Sequence, residues 1–278
     1  MATESHLPFI ESVLHPTDFS EGGEVAFAHA LAIALVRQAS LTLLHGGDRV
    51  VENWERFPRV RKTLERWGLL ASGSEREAVF RELAVGVTKL DVKGDPVKAT
   101  LDYVSREEPD IVVVGTAGRD GLERWMRPSK AQQIARRVGA MTLFVPNAGR
   151  PMVSLDDGSV RLSRILIPIA ETPDPGRALV LATRAAAALG DAPVRITRLH
   201  VGAAPPPLPA PATDPAWAWE EVQRTGDVIE EIVAAARDAD LVVMPTDGRD
   251  APIDVFRGSH TERVVREVDC PLLAVPSS

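Results

Sequence analysis

The chain has 278 residues, enough for two domains that each bury a core. Its 45% apolar and 26% charged residues are ordinary for a globular protein, and its net charge of −7 argues against general binding to nucleic acid or anionic membrane. The single cysteine, Cys270, excludes an intrachain disulfide, and its place before Pro271 and an apolar run suits a small core residue. The N-terminal MATESHLPFIESV is acidic and lacks the apolar stretch of a signal peptide. No run approaches the ~18 apolar residues of a membrane span, so a cytoplasmic protein is expected.

In chain order, residues 10–15 form a short strand ended by Pro16-Thr17-Asp18. Ser20 can cap a helix over roughly 21–38, whose Val25, Phe27, Ala28, Leu31, Ala32 and Leu35 lie along one face. Residues 41–45 are nearly all apolar, as in a parallel strand covered on both faces. Residues 50–85 are charged and helical in character, with Trp54, Phe57, Trp67 and Leu70 as candidate anchors. A third strand spans 84–92. Gly94-Asp95-Pro96 then breaks the chain, and Pro96 suits the first turn of a helix over 97–107. A strand at 111–114, a helix at 129–138 and a strand at 141–145 follow. This alternation predicts a parallel, doubly wound sheet.

Residues 148–162 are polar and rich in Gly, Pro and Ser, and read as a linker between domains over 1–147 and 163–278. The second domain repeats the first. Residues 110–146 (DIVVVGTAGRDGLERWMRPSKAQQIARRVGAMTLFVP) and 240–276 (DLVVMPTDGRDAPIDVFRGSHTERVVREVDCPLLAVP) align without a gap at an offset of 130. A period this long marks a duplicated domain, not a solenoid unit. Pro16 and Pro168 are 152 positions apart, so the second copy is 22 residues shorter. The loss falls between His200, the match to His45, and Gly226-Asp227, the match to Gly94-Asp95. A Pro-rich crossing over 203–215 replaces the charged helix and is too rich in proline to be one. Trp217 and Trp219 could pin it to the domain surface, or it could be a ligand for a partner.

A strand ending in Gly115-Thr116-Ala117-Gly118 offers backbone N–H groups with no side chain in the way. Ser129 then opens a helix, where a hydroxyl and free N–H groups can meet phosphate oxygens. In open α/β sheets such turns lie at the carboxyl ends of strands, where ligands bind. Pro16, Thr17 and Asp18 are expected at the same end. A purely structural reading also fits, since glycines end strands and serines cap helices in proteins that bind nothing.

The order of Pro-Thr-Asp-Phe-Ser after a strand, Leu-Leu-His, Gly-Asp-Pro, Val-Val-Val-Gly-Thr-x-Gly-Arg and a final strand with Val-Pro resembles the universal stress protein family across both halves. The resemblance implies two Rossmann-like domains of the adenine nucleotide alpha hydrolase type, each a five-stranded parallel sheet with helices on both sides. It implies that they pack about a pseudo-twofold axis through the strands at 141–145 and 272–275. A homodimer and a role in the stress response are further implications, as is ATP as ligand, which Mg2+ could accompany.

The implied nucleotide site comprises Pro16, Thr17, Asp18, Gly46, Val114, Gly115, Gly118, Ser129 and Lys130, with Asp18 facing the adenosine and Gly46 meeting the adenine through its backbone. Gly248, Gly258 and Ser259 form a degenerate second site. The family pattern is Gly, two residues, Gly, nine residues, then Gly-Ser or Gly-Thr. Pro128 replaces its third glycine in the first copy and Pro245 its first glycine in the second, while Ala170 stands at the match to Asp18 and Val201 at the match to Gly46. Proline has no N–H to offer a phosphate. If either copy binds a nucleotide, the first is expected to.

Asp18 can equally be a helix cap or an Asx-turn residue. His45 and His200 read as structural strand-end histidines, while His15 and His29 have no partner at metal-ligand spacing. Arg119-Asp120 and Arg249-Asp250 recur in both copies as solvated turns, interface pairs or phosphate contacts. No P-loop, zinc motif or activated nucleophile occurs in the sequence. A binding protein is therefore expected before an enzyme, with a partner-docking module and a weak ATPase as the competing readings.

Overall fold

The computed structural model describes residues 10–19, 23–47, 56–116, 140–191, 193–208, 210–212, 214–246 and 260–277. In the first half, β1 (Ser12–Thr17), α1 (Gly23–Arg37), β2 (Ser40–Gly47), α2 (Val60–Arg66), α3 (Ala78–Leu83), β3 (Val87–Lys93), α4 (Pro96–Glu107), β4 (Ile111–Thr116) and β5 (Met141–Pro146) follow one another. The second half contains β6 (Arg164–Pro168), α5 (Gly176–Leu189), β7 (Val194–Val201), β8 (Trp217–Arg224), α6 (Val228–Ala236), β9 (Leu241–Thr246), α7 (His260–Glu267) and β10 (Leu272–Pro276). Ser20, Trp54 and the helix expected at 129–138 lie outside the described residues.

The two sheets are joined into one of ten strands, ordered β3-β2-β1-β4-β5-β10-β9-β6-β7-β8. Each half is parallel within itself, and the junction is an antiparallel pair in which Leu272, Leu273 and Ala274 face Phe144, Leu143 and Thr142. The apolar strands 141–145 and 272–275 thus cover each other at the centre of the sheet, and the open edges are β3 and β8. Alternate residues of each strand enter cores on opposite faces. Val13 packs with Phe27 and Leu31 of α1 on one side, and Leu14 with Val104 of α4 on the other.

Two duplicated acids have structural work that the sequence alone did not reveal. Asp110, just before β4, accepts from the Glu11 N–H, the Ser12 N–H and the Ser12 hydroxyl, each at 2.9 Å. Asp240, before β9, accepts from the Ser163 N–H (2.9 Å), the Ser163 hydroxyl (3.2 Å) and the Arg164 N–H (2.8 Å). Each carboxylate clamps the amino ends of two neighbouring strands. The Gly-Asp repeats are helix starts: Asp95 caps α4 through the Val97 and Lys98 N–H groups, and Asp227 caps α6 through those of Ile229 and Glu230. Gly94 and Gly226 take φ of +135° and +139°, open only to glycine.

Several boundaries differ from the sequence pattern. β1 continues through Pro16 and Thr17 because β2 pairs with it as far as His45. β3 begins at Val87, since Ala84 is the left-handed residue that ends α3. Between β7 and β8 the described residues form no helix, and Trp217 and Trp219 belong to β8 itself. The segment expected as a linker is held by both halves. The Met152 N–H donates to His29 Nε2 (3.2 Å), and Trp67 Nε1 donates to the Leu155 carbonyl (3.1 Å). On the other side, Arg150 pairs with Asp269 at 2.8 Å and donates to the Ala236 carbonyl at 2.9 Å.

Candidate functional site

The parallel strands bring Pro16 and Thr17 of β1, Asp18 just after it, Gly46 of β2, and Val114 and Gly115 of β4 to one end of the sheet. That end is split. β1 pairs with β4 only at Val13–Ile111 and Leu14–Val112, whereas β1 stays with β2 to Thr17 and β4 with β5 to Thr116. The ladder stops where Pro16 has no N–H to extend it. The imidazole of His15 bridges the beginning of the gap, its Nδ1–H donating to the Val113 carbonyl at 2.9 Å. Burial pushes its pKa down to about 4, against the raising effects of that bond and of the Asp18 charge, so His15 is neutral near pH 7. It can offer a lone pair to a ligand but no charge to a phosphate.

The glycines have packing reasons of their own. A Cβ on Gly46 would lie 2.6 Å from Pro96 Cα, and one on Gly115 would lie 2.8 Å from Asn147 Oδ1. Gly46 is therefore needed for the protein's own packing, whereas at Gly115 the Asn147 side chain could turn aside. Val114 is buried among the residues beneath α4, so only its backbone is open to a ligand. Three buried polar atoms near the split have no partner: His15 Nε2, Thr116 Oγ1 and Asn147 Oδ1. Burying an unpaired polar group costs about 1–3 kcal/mol, so such a set suits a polar guest.

Beside the split, a cavity of about 410 Å³ is lined by Thr17, Phe19, Phe57 and Arg56, among others. Phe19 has φ of +62°, and its ring stacks on His45 with centroids 4.1 Å apart. Phe57 meets Phe19 edge-on, and the Arg56 guanidinium lies 5.1 Å from the Phe19 centroid. His45 is fixed in turn by Asp91 at 2.9 Å. This aromatic and cationic corner was not anticipated as a site. The sequence offers Phe57 as an anchor and His45 as a strand-end histidine, but nothing in it joins them to the Phe of Pro-Thr-Asp-Phe-Ser. Gly118, Pro128, Ser129, Lys130, Gly248, Gly258 and Ser259 lie outside the described residues, as do Arg119-Asp120 and Arg249-Asp250.

The second half is split in the same place. β6 pairs with β9 only at Ile165–Leu241 and Leu166–Val242, below Pro168. Its lining differs. Ile167 replaces His15, and Pro245 occupies β9 beside Val275. Arg177 of α5 reaches the end of β10, its Nη1 donating to the Pro276 carbonyl at 3.2 Å. His200 is held by the Ile169 carbonyl at 3.1 Å.

A family model described as the universal stress protein family matches residues 10–146 and 215–276, more than half of the chain. The chain belongs to the universal stress protein family. The solved structure of a universal stress protein from Archaeoglobus fulgidus is similar over 97% of this chain and 99% of its own, with a TM-score of 0.60 at 14% identity. One described as a putative universal stress protein from Pseudomonas aeruginosa is similar over 96% of this chain and 93% of its own, with a TM-score of 0.54 at 15% identity. At these identities the likeness is one of fold. A curated universal stress protein of Methanocaldococcus jannaschii is 23% identical over 154 residues, spanning 49% of this chain and 81% of the relative. In this universal stress protein, then, the family fold occurs twice along one sheet. No described helix is long and apolar enough to cross a membrane, and no group of three or more His, Cys, Asp or Glu among the described residues could hold a metal ion.

Proposed function

We propose that the chain serves the stress response in the cytoplasm by binding an adenine nucleotide, ATP first among them, in the split of its first half, the second half having lost that capacity. The parting of β1 from β4 beyond Leu14 and Val112 carries the reading. It opens a crevice at the switch in strand order with Thr17, Asp18 and Gly115 on its rim. The unpartnered atoms of His15, Thr116 and Asn147 support it, because a nucleoside brings the donors and acceptors they lack. In this reading Asp18 accepts from a ribose hydroxyl and the Gly46 backbone meets the base. The N–H groups at Gly115 and Gly118, with Ser129 and Lys130, meet the phosphates, and Mg2+ arrives with the triphosphate.

Equilibrium titration with ATP tests the proposal. Asp18→Ala is expected to weaken binding about tenfold or more, and Pro128→Gly to strengthen it about ten- to a hundredfold by restoring one charge-assisted hydrogen bond. No saturable binding by either the native protein or Pro128→Gly would sink it. One observation favours partner docking instead: the Pro-rich crossing is held in place, with Trp219 Nε1 donating to the Ala212 carbonyl at 2.9 Å. Mass spectrometry of small molecules released from the purified protein separates the readings, since docking alone predicts no nucleotide.

A further inference from the structure

Away from the split, α2, α3 and the edge strand β3 enclose a half-open groove of about 920 Å³. That lies at the upper end of the range for small-molecule sites, about 300–1,000 Å³. Its charge runs against that of the whole protein. Arg59, Lys62, Arg76 and Lys89 line it, with Glu77 as the one lining carboxylate, in a chain of net charge −7. Arg61, a fifth lining cation, is already paired with Glu65 at 3.6 Å. No carboxylate among the described residues forms an ion pair with any of the other four.

Lys89 is half-buried on β3, with its Nζ 5.7 Å from the centroid of the Phe57 ring. Burial lowers its pKa, and the neighbouring charge of Arg76 lowers it further. Two cations are thus drawn together without a counter-ion, one of them partly desolvated. An anion between them would relieve both costs.

Apart from Thr88, the rest of the groove is apolar. Val79 and Val85 are buried at its base, Val87 is half-buried, and Phe80 is 67% exposed, the most of any large apolar side chain described. A ring this bare beside an apolar floor favours a guest with a hydrocarbon part. An added peptide strand suits the place less well, since the groove reaches only Val87, Thr88 and Lys89 of the seven residues of β3.

We propose that this groove binds an anionic amphiphile, its acyl chain lying along Phe80 and Val87 and its head group held between Arg76 and Lys89. The site is independent of the nucleotide reading. Arg59 and Lys62 also border the smaller cavity beside Phe19, but Arg76 and Lys89 do not. The test is calorimetric titration of the full chain with dodecanoate below its micelle concentration. Dodecanol supplies the chain without the charge, and acetate the charge without the chain. The expected result is one saturable dodecanoate site, weakened about tenfold in Arg76→Gln and in Lys89→Met, with much weaker binding of dodecanol and acetate. Thermal unfolding and ATP titration should be unchanged in both variants, which separates this site from the split. Absence of dodecanoate binding, equal affinity in native and variant proteins, or equally tight binding of dodecanol would each overturn the proposal. An acidic peptide that bound where dodecanoate did not would overturn it in favour of a protein partner.

Discussion

In the first half the ladder between β1 and β4 stops after Leu14 and Val112; in the second, that between β6 and β9 stops after Leu166 and Val242. A proline two residues on, Pro16 or Pro168, has no N–H to continue either ladder, and Asp110 or Asp240 pins the amino ends of the same strands. Duplication has therefore preserved the device that opens the sheet, clamped at one end and parted at the other. What lines the opening has diverged. The first half has His15, Asp18 and Gly115 where the second has Ile167, Ala170 and Pro245. Backbone geometry sets the crevice, and a few side chains set how polar its lining is.

The largest difference to test is the response to acid. His15 and His29 are buried in the first half, each with its pKa pushed down to about 4 by desolvation. Their counterparts in the second half are Ile167 and Leu181. A histidine that binds its proton only when unfolded stabilises fully above pH 6.5, and that stability drains as pH falls from 6.5 towards 4. At about 1.4 kcal/mol per pKa unit, each group contributes about 3 kcal/mol over that window. Denaturant unfolding followed from pH 7 to pH 4 should show the first half giving way first. The double variant His15→Ile, His29→Leu, which copies the second half, should flatten the profile. An unchanged slope would show that the acid response lies elsewhere.

The strand clamps should break the comparison in the opposite sense, because they are shared. Asp110→Ala and Asp240→Ala each strip a carboxylate from three donors. A loss of about 3 kcal/mol is expected from either, a bond to a charged group being worth about 1.5–3 kcal/mol and neighbouring bonds not adding fully. Urea unfolding at pH 7 checks this. If one variant were much milder than the other, the two clamps would not be equivalent.

The duplication and the strand and helix alternation could be read from the sequence, because periodicity and repetition report burial directly, whereas the pairing of the apolar strands at the centre came from the family resemblance. The strands at 141–145 and 272–275 each form an edge of their own half, and those edges disappear when the halves join. Pro16 was legible as a break, but its effect on one neighbour and not the other needs the strand order: β2 stays paired through His45 while β4 departs. Gly46 misleads if read for ligand alone, since it is also required by the close approach of the Pro96 backbone. The stack of Phe19 on His45 and the cation-lined groove were hidden. They depend on side chains from the segment after β1 and from α2, α3, β2 and β3, which lie far apart in sequence.

The smallest expected effect concerns the two edges of the sheet, where the halves differ most in covering. The first half follows β2 with α2 and α3 before its edge strand β3; the second follows β7 with the Pro-rich crossing before β8. That crossing replaces helical packing with directed contacts such as those from Trp219 Nε1 to the Ala212 carbonyl and from Gln223 Nε2 to the Ala203 carbonyl, while the Arg198 guanidinium lies 5.4 Å from the centroid of the Trp219 ring. Trp219→Phe keeps an aromatic face for Arg198 and removes the hydrogen bond. Because the site is half-exposed and water can replace the donor, the loss should be about 1 kcal/mol in unfolding free energy. Limited proteolysis supplies the sharper readout. Cleavage within 203–212 should quicken in the variant while cleavage within 56–86 stays as it was. Equal acceleration at both edges would mean that the tryptophan supports the whole sheet rather than its own crossing.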